Sequence, residues 1–212
     1  MSNLLCFGDS NTWGFDAEAE GRHPRALRWP TVLARELGPD AHVAEAGQNG
    51  RTTATDDPQW QNRNGRKALA IVLESHAPLD LVIFMLGLND LKDRLGLTAA
   101  DAARGMGALV QFARARPAWP VRRAPEVLVV APPPVQEVTG RFAKEFVQGA
   151  AQSRLLAKRY EEVARAQGAH FFDAGPVTGY GKSDGLHLDA AGHQALGLAL
   201  APVVQSILRQ RD

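Results

Sequence analysis

The sequence predicts an α/β protein in which a parallel sheet is covered by helices on both faces. Two observations carry that prediction. Five short apolar runs (Leu4–Phe7, His42–Ala46, Leu81–Leu86, Val127–Ala131 and His170–Phe172) alternate with stretches of helical periodicity. The third and fourth runs, Leu-Val-Ile-Phe-Met-Leu and Val-Leu-Val-Val-Ala, are continuous in hydrophobicity, as in strands buried on both faces. Strands alternating with helices make βαβ units, whose crossovers are right-handed.

The first strand runs into Gly8-Asp9-Ser10-Asn11-Thr12, a tight strand-to-helix turn, and a polar loop, Asp16–Arg28, follows closely. Helical periodicity covers Trp29–Leu37. The second strand gives way to Gly47-Gln48-Asn49-Gly50-Arg51-Thr52-Thr53 and a second polar loop, Asp56–Gly65. A helix over Arg66–Ser75 precedes the third strand, which ends in Gly87-Leu88-Asn89-Asp90. After a helix over Ala99–Arg114, the segment Pro117–Pro125 reads as a loop, since the same pattern resumes beyond it. One long helix is expected over Ala143–Gln167 and a last one over Ala190–Leu208, which Pro202 should kink or shorten.

The chain has 212 residues, with 24 basic and 23 acidic side chains and a net charge of +1. One domain spanning 1–212 is expected, large enough to bury a core without disulfide or metal staples. The near-neutral charge argues against a nucleic-acid binder. The single cysteine, Cys6, suits a reducing compartment and reads as a small buried hydrophobe. No signal-peptide pattern opens the chain, and no uncharged apolar stretch of about 18 residues is apparent. The expectation is a cytoplasmic protein without a membrane span.

In open parallel sheets, ligands bind beyond the carboxyl ends of the strands. The segments there supply a serine, a histidine, carboxylates, an asparagine and glycine-rich backbone, the inventory of acyl transfer by a nucleophilic serine. Of the six serines, Ser2 is terminal and Ser75, Ser153 and Ser206 fall in helical patterns. Ser10 has the better platform, a tight turn at a helix N-terminus; Ser183 is the rival, sharing a loop with Asp184 and His187. His187 would serve as base, with Asp184 three residues earlier to hold its tautomer. For the developing oxyanion, the backbone N–H groups of Ser10 and Gly50 and the side-chain amide of Asn89 are assigned. Trp13, three residues past Ser10, either lines the acyl pocket or packs between helix and sheet.

The blocks Gly8-Asp9-Ser10, Gly50, Gly87-Leu88-Asn89-Asp90 and Asp184-Gly185-Leu186-His187 resemble, in order and spacing, the four blocks of the SGNH (GDSL-type) hydrolases. Cys6–Gly14, Arg51-Thr52-Thr53, Pro78–Ile83 and Phe171–Gly175 narrow the resemblance to the bacterial arylesterase/acyltransferase (perhydrolase) branch. That resemblance implies a three-layer, flavodoxin-like sheet of order 2-1-3-4-5 and ester hydrolysis without metal or other cofactor. It implies a Ser10–His187–Asp184 triad with Gly50 and Asn89 in the oxyanion hole. It also implies a homo-oligomer, with an octamer in view. Substrates would be short-chain aryl or alkyl esters, with water or an alcohol accepting the acyl group. Two residues depart from the family pattern: Asn11 stands where leucine is expected, which should touch local packing only, and Glu45 where many members carry asparagine. The loops Asp16–Arg28 and Pro132–Gly149 should frame the pocket.

Other readings of the same residues remain. A carbohydrate O-acetyl esterase would use the same triad. A non-enzymatic phosphate or nucleotide binder would cradle an anion at Gly8–Thr12, though no Gly-x-Gly-x-x-Gly follows the first strand. Asp189 and His193 resemble a metal pair but lack a third ligand by spacing. Asp9 and Asp90 read as braces of their turns, and His23, His42, His76 and His170 as structural or solvated. Trp29 reads as a core or interface residue, Trp60 and Trp119 as loop residues able to meet another subunit, and Arg122-Arg123 as a solvated pair.

Overall fold

In a computed structural model, described over residues 1–115 and 123–211, five parallel strands form one sheet. They are β1 (Ser2–Gly8), β2 (Ala41–Gly47), β3 (Leu81–Met85), β4 (Glu126–Ala131) and β5 (His170–Asp173), in the expected spatial order 2-1-3-4-5. The helices are α1 (Ser10–Trp13), α2 (Trp29–Leu37), α3 (Gly65–His76), α4 (Ala99–Arg114), α5 (Gly149–Ser153), α6 (Leu156–Gln167) and α7 (Ala190–Arg211). The expected Trp119 and Arg122, and most of the loop Pro117–Pro125, lie outside the described residues.

Alternation along each strand explains the continuous apolar runs. Leu5, Phe7, Val82, Phe84, Val127 and Val129 bury against α3, α4 and α6 through Leu69, Met106, Leu109 and Tyr160. Leu4, Cys6, Leu81, Ile83, Leu128 and Val130 bury on the opposite face against α2 and α7 through Trp29, Leu33, Leu196, Leu200 and Val204. Each fully buried side chain of this size contributes roughly 1.5–3 kcal/mol. Trp29 is therefore a core residue.

The long helix expected over Ala143–Gln167 is broken. Residues Gly140–Glu145 form a 3₁₀ turn, and α5 and α6 follow as separate helices. The Asp93 carboxylate accepts from the backbone N–H groups of Val147 (2.8 Å), Gln148 (3.1 Å) and Gly149 (3.2 Å), replacing the helical partners these groups would otherwise have. A Cβ at Gly149 would lie 2.4 Å from the Leu91 carbonyl, so this approach needs glycine. Part of the loop after β1 is instead a small antiparallel hairpin, Phe15–Asp16 with Gly21–Arg22.

Pro202 does not shorten the last helix, which runs on to Arg211. Both Pro202 and Leu198, whose carbonyl loses its helical donor, are exposed, so water can satisfy that carbonyl. The same helix corrects the expectation that the chain has no uncharged apolar stretch of about 18 residues, since residues 190–208 are one. By length and composition α7 is apolar enough to cross a membrane, with a mean hydropathy of 1.2 over its best window, 44% of which is buried in the fold. Its apolar side chains are the ones packed on α2 and the sheet.

The register sets up the site. Gly8 pairs with Gly47 on one side and Met85 on the other. The segments beginning at Asp9, Gln48 and Leu86 therefore leave the sheet side by side.

Candidate active site

Ser10 opens α1, a single turn held at both ends. Asp9 caps it, its Oδ1 accepting from the Asn11 N–H at 2.9 Å, and Gly14 ends it in the left-handed region at φ 88°. His187 comes from the loop after β5. Its Nδ1 lies 2.6 Å from Asp184 Oδ2 and its Nε2 lies 2.9 Å from Ser10 Oγ. With the proton on Nδ1 donated to the carboxylate, Nε2 accepts from the serine hydroxyl. The three side chains are buried to about the same degree, and His187 packs between the rings of Phe15 (4.5 Å) and Phe142 (5.5 Å). Burial pushes the Asp184 carboxyl up. Hydrogen bonds from His187 and from the N–H groups of Leu186 and His187 outweigh it and hold the group below the ordinary carboxylate range.

The rival, Ser183, is exposed, and both nitrogens of His187 are already engaged by other residues. The structure thus brings together the serine, histidine and aspartate that the sequence grouped, and leaves Ser183 apart.

Gly50 and Asn89 reach the same cavity as Ser10 and His187. Gly50 has φ 77°, and a Cβ there would sit 2.3 Å from the Trp60 ring, so glycine is required twice over. Asn89, in the short turn after β3, points its Nδ2 toward the Arg51 carbonyl (3.2 Å) and Asp9 Oδ2 (3.5 Å). Burial raises Asp9 to about 6 despite the Asn11 hydrogen bond. Asp90, adjacent to Asn89, is raised by burial to about 7 while accepting from Thr53 N (2.9 Å) and Oγ1 (2.5 Å). Both act as braces, as expected.

Sequence reasoning missed Arg51. Its guanidinium donates through Nη1 to the carbonyls of Gly8 (2.7 Å) and Ala46 (2.5 Å), reaches Gln48 through Nε, and lies 4.1 Å over the Phe7 ring. It thereby ties the ends of β1 and β2 beneath the Gly50 turn. Burial lowers its pKa to about 10. Glu45 has no part in that turn: it binds Arg28, Arg22 and the Thr31 hydroxyl instead. Asn11 does more than pack. It donates to the Leu186 carbonyl (3.2 Å) and accepts from the Leu188 N–H (2.8 Å), gripping both neighbours of His187.

The cavity, of about 70 Å³, is lined by Phe15, Trp60, Lys92, Arg141 and Phe142 along with the residues above. Trp13 is not among them, which corrects one of its two readings. Its ring is covered by the Arg22 guanidinium at 4.7 Å, and its carbonyl accepts from Arg22 Nε, so the hairpin holds it away from the cavity. Of the two loops expected to frame the pocket, Pro132–Gly149 does so through Arg141 and Phe142. Residues of Asp16–Arg28 instead line a separate cavity of about 370 Å³ reached from the other side of His187. Trp60 had only been read as a loop residue, and no periodicity singled out Phe15 or Phe142.

Other candidates are accounted for by their contacts. A carboxylate, Asp9, occupies the N-terminus of α1 where a phosphate would sit, which removes the anion-binding reading. His193 Nδ1 accepts from Trp29 N, and Asp189 caps Gly192 at the start of α7. Burial raises the Cys6 thiol well above its ordinary value.

The GDSL-like lipase/acylhydrolase family model matches residues 6–195. Comparison with curated proteins finds no match. Among solved structures, a carbohydrate acetylesterase family member from Sinorhizobium meliloti is 46% identical, with a TM-score of 0.94 over 99% of this chain and 100% of that one. The native aryl esterase of M. smegmatis is 40% identical, with a TM-score of 0.93 over 98% and 100%. A second carbohydrate acetylesterase from S. meliloti is 38% identical, with a TM-score of 0.94 over 98% and 100%. With its fold, its blocks and its relatives in agreement, the chain belongs to the GDSL-like lipase/acylhydrolase family and is a carboxylic ester hydrolase.

Proposed function

We propose that the protein is a serine esterase that removes short acyl groups from aryl or alkyl esters through an acyl-enzyme on Ser10. The observation that carries this reading is the continuous hydrogen-bonded chain from Ser10 Oγ through His187 to Asp184. His187 takes the serine proton as Oγ attacks the carbonyl carbon. The resulting oxyanion is met by the N–H groups of Ser10 and Gly50 and by Asn89 Nδ2. The imidazolium, stabilised by Asp184, then gives its proton to the departing alkoxide. Water activated by the same His187 releases the acid.

A cavity of about 70 Å³ suits an acetyl-sized group better than a long chain. Its aromatic wall of Phe15, Trp60 and Phe142 excludes water in part, which favours an alcohol as competing acceptor and supports acyl transfer. A second reading, removal of acetyl groups from carbohydrates by the same triad, draws support from the two S. meliloti acetylesterases. The three short acyl-ester activities share the first half-reaction and differ in which alcohol leaves and what accepts. We further propose self-association; exposed Trp60, Ile71 and Val147 supply apolar surface, and a mass measured in solution decides it.

Mass spectrometry after treatment with a fluorophosphonate tests the mechanism. The adduct is expected on Ser10. An adduct on Ser183, or none, overturns the assignment.

A further inference from the structure

We propose that Lys92 makes this site selective for short acyl groups that carry an oxygen, such as hydroxyacetyl or alkoxyacetyl groups, over the equivalent hydrocarbon acyl groups. The inference rests on the serine-esterase reading above and names the acyl class that reading leaves open.

The cavity has two ends. Phe15 and Phe142 pack on His187, and Arg141 lies over both rings. The leaving oxygen must face His187 Nε2 to receive its proton, so the alcohol portion of the ester lies along this end. The Trp60 ring instead stands against Gly50, and Lys92 Nζ lies 4.9 Å over that ring. The acyl substituent, opposite the leaving group, therefore extends past Gly50 and Asn89 toward Trp60 and Lys92.

Lys92 is an unusual wall for a hydrocarbon. Its side chain is 4% exposed, and its ammonium meets one carboxylate, Glu145, at 3.5 Å. An ammonium has three donors, so hydrogen-bonding capacity remains. Burial lowers its pKa from the ordinary lysine value, and Glu145 opposes that shift. A second polar group in the same wall is also unspent: Asn49 Oδ1 is buried without a hydrogen-bond partner. A methylene placed against Lys92 leaves its remaining donors without water and without an acceptor, which is unfavourable. An oxygen at that position accepts from Lys92.

The test compares phenyl methoxyacetate with phenyl butyrate, which differ by one oxygen in place of one methylene. Each kcat/KM is divided by the rate of that ester with hydroxide, which removes the intrinsic reactivity of the carbonyl. The wild-type enzyme is expected to favour methoxyacetate about tenfold, the size of one hydrogen bond from a charged donor. Lys92→Met should abolish that preference, and Lys92→Gln, which keeps a donor, should retain part of it. Glu145 also binds Arg94, so neither variant strands a carboxylate. A corrected wild-type ratio near one overturns the inference while leaving the esterase reading intact, as does a ratio that survives Lys92→Met. Failure to turn over either ester overturns the esterase reading, and the inference with it.

Discussion

Asp184 holds His187 at two points: Oδ2 faces the ring Nδ1 at 2.6 Å, and Oδ1 accepts from the backbone N–H of the same residue at 3.0 Å. One carboxylate thus sets both the position of the ring and its tautomer. The two jobs can be separated by substitution.

In Asp184→Asn, the amide oxygen still accepts from the backbone, so the loop keeps its shape. The amide nitrogen, facing the ring, selects the wrong tautomer. Turnover of phenyl acetate is expected to fall about 10⁴-fold with little change in melting temperature. A loss under tenfold would remove Asp184 from the proposed triad.

Asn89→Ala removes one donor from the proposed oxyanion site and should lower kcat about 10²–10³-fold with a small change in KM. Steady-state kinetics on the same ester decide it. An effect confined to KM would mean that Asn89 binds substrate and transition state alike.

Asn11→Leu restores the residue that the family pattern expects, yet here it should be harmful. It leaves the buried Leu186 carbonyl and Leu188 N–H without partners, each worth about 1–3 kcal/mol. Both the melting temperature and kcat should fall, since His187 sits between those two residues. Wild-type values for both would show that the loop is held by its other contacts.

Stability should decline as pH rises through the neutral range. Asp90 and Asp9 are raised to about 7 and about 6, above the values of the unfolded chain. The native state therefore binds more protons than the unfolded state between about pH 4 and 7. Their contribution is fully present below about pH 4 and lost as pH rises through the folded values. Asp90→Asn can still accept from Thr53 N and donate to the Thr53 hydroxyl, so it should flatten this decline. Urea unfolding at pH 5 and pH 8 measures it, and an equal decline in both proteins would refute the role given to Asp90.

The strands were legible because the apolar runs, with side chains alternating between two covered faces, are local signals; their order was implied by the family resemblance. Leu81–Met85 and Glu126–Ala131 came within a residue of their expected bounds. Ser10 was legible in a short block at the end of β1, and Asp184 and His187 in a short block within the loop after β5. The break between the Gly140–Glu145 turn and α5 was not, because it depends on Asp93, more than fifty residues away in sequence. The cavity wall was hidden for a similar reason. Trp60, Lys92 and the adjacent Arg141 and Phe142 lie in three different loops, and only the fold brings them to one place. Arg51 was noted only as part of the Arg51-Thr52-Thr53 block, and its role was hidden because its acceptors are backbone carbonyls, which carry no sequence signal.

The hydrogen bond between Ser10 and His187 spans 177 residues of chain. During synthesis the proposed nucleophile is made well before its proposed base, which lies 177 positions further along. A nascent or prematurely terminated chain thus carries a serine with no histidine to take its proton. In the proposed mechanism, ester cleavage therefore waits for the loop after β5 to reach Ser10, and any shorter fragment is expected to be inert.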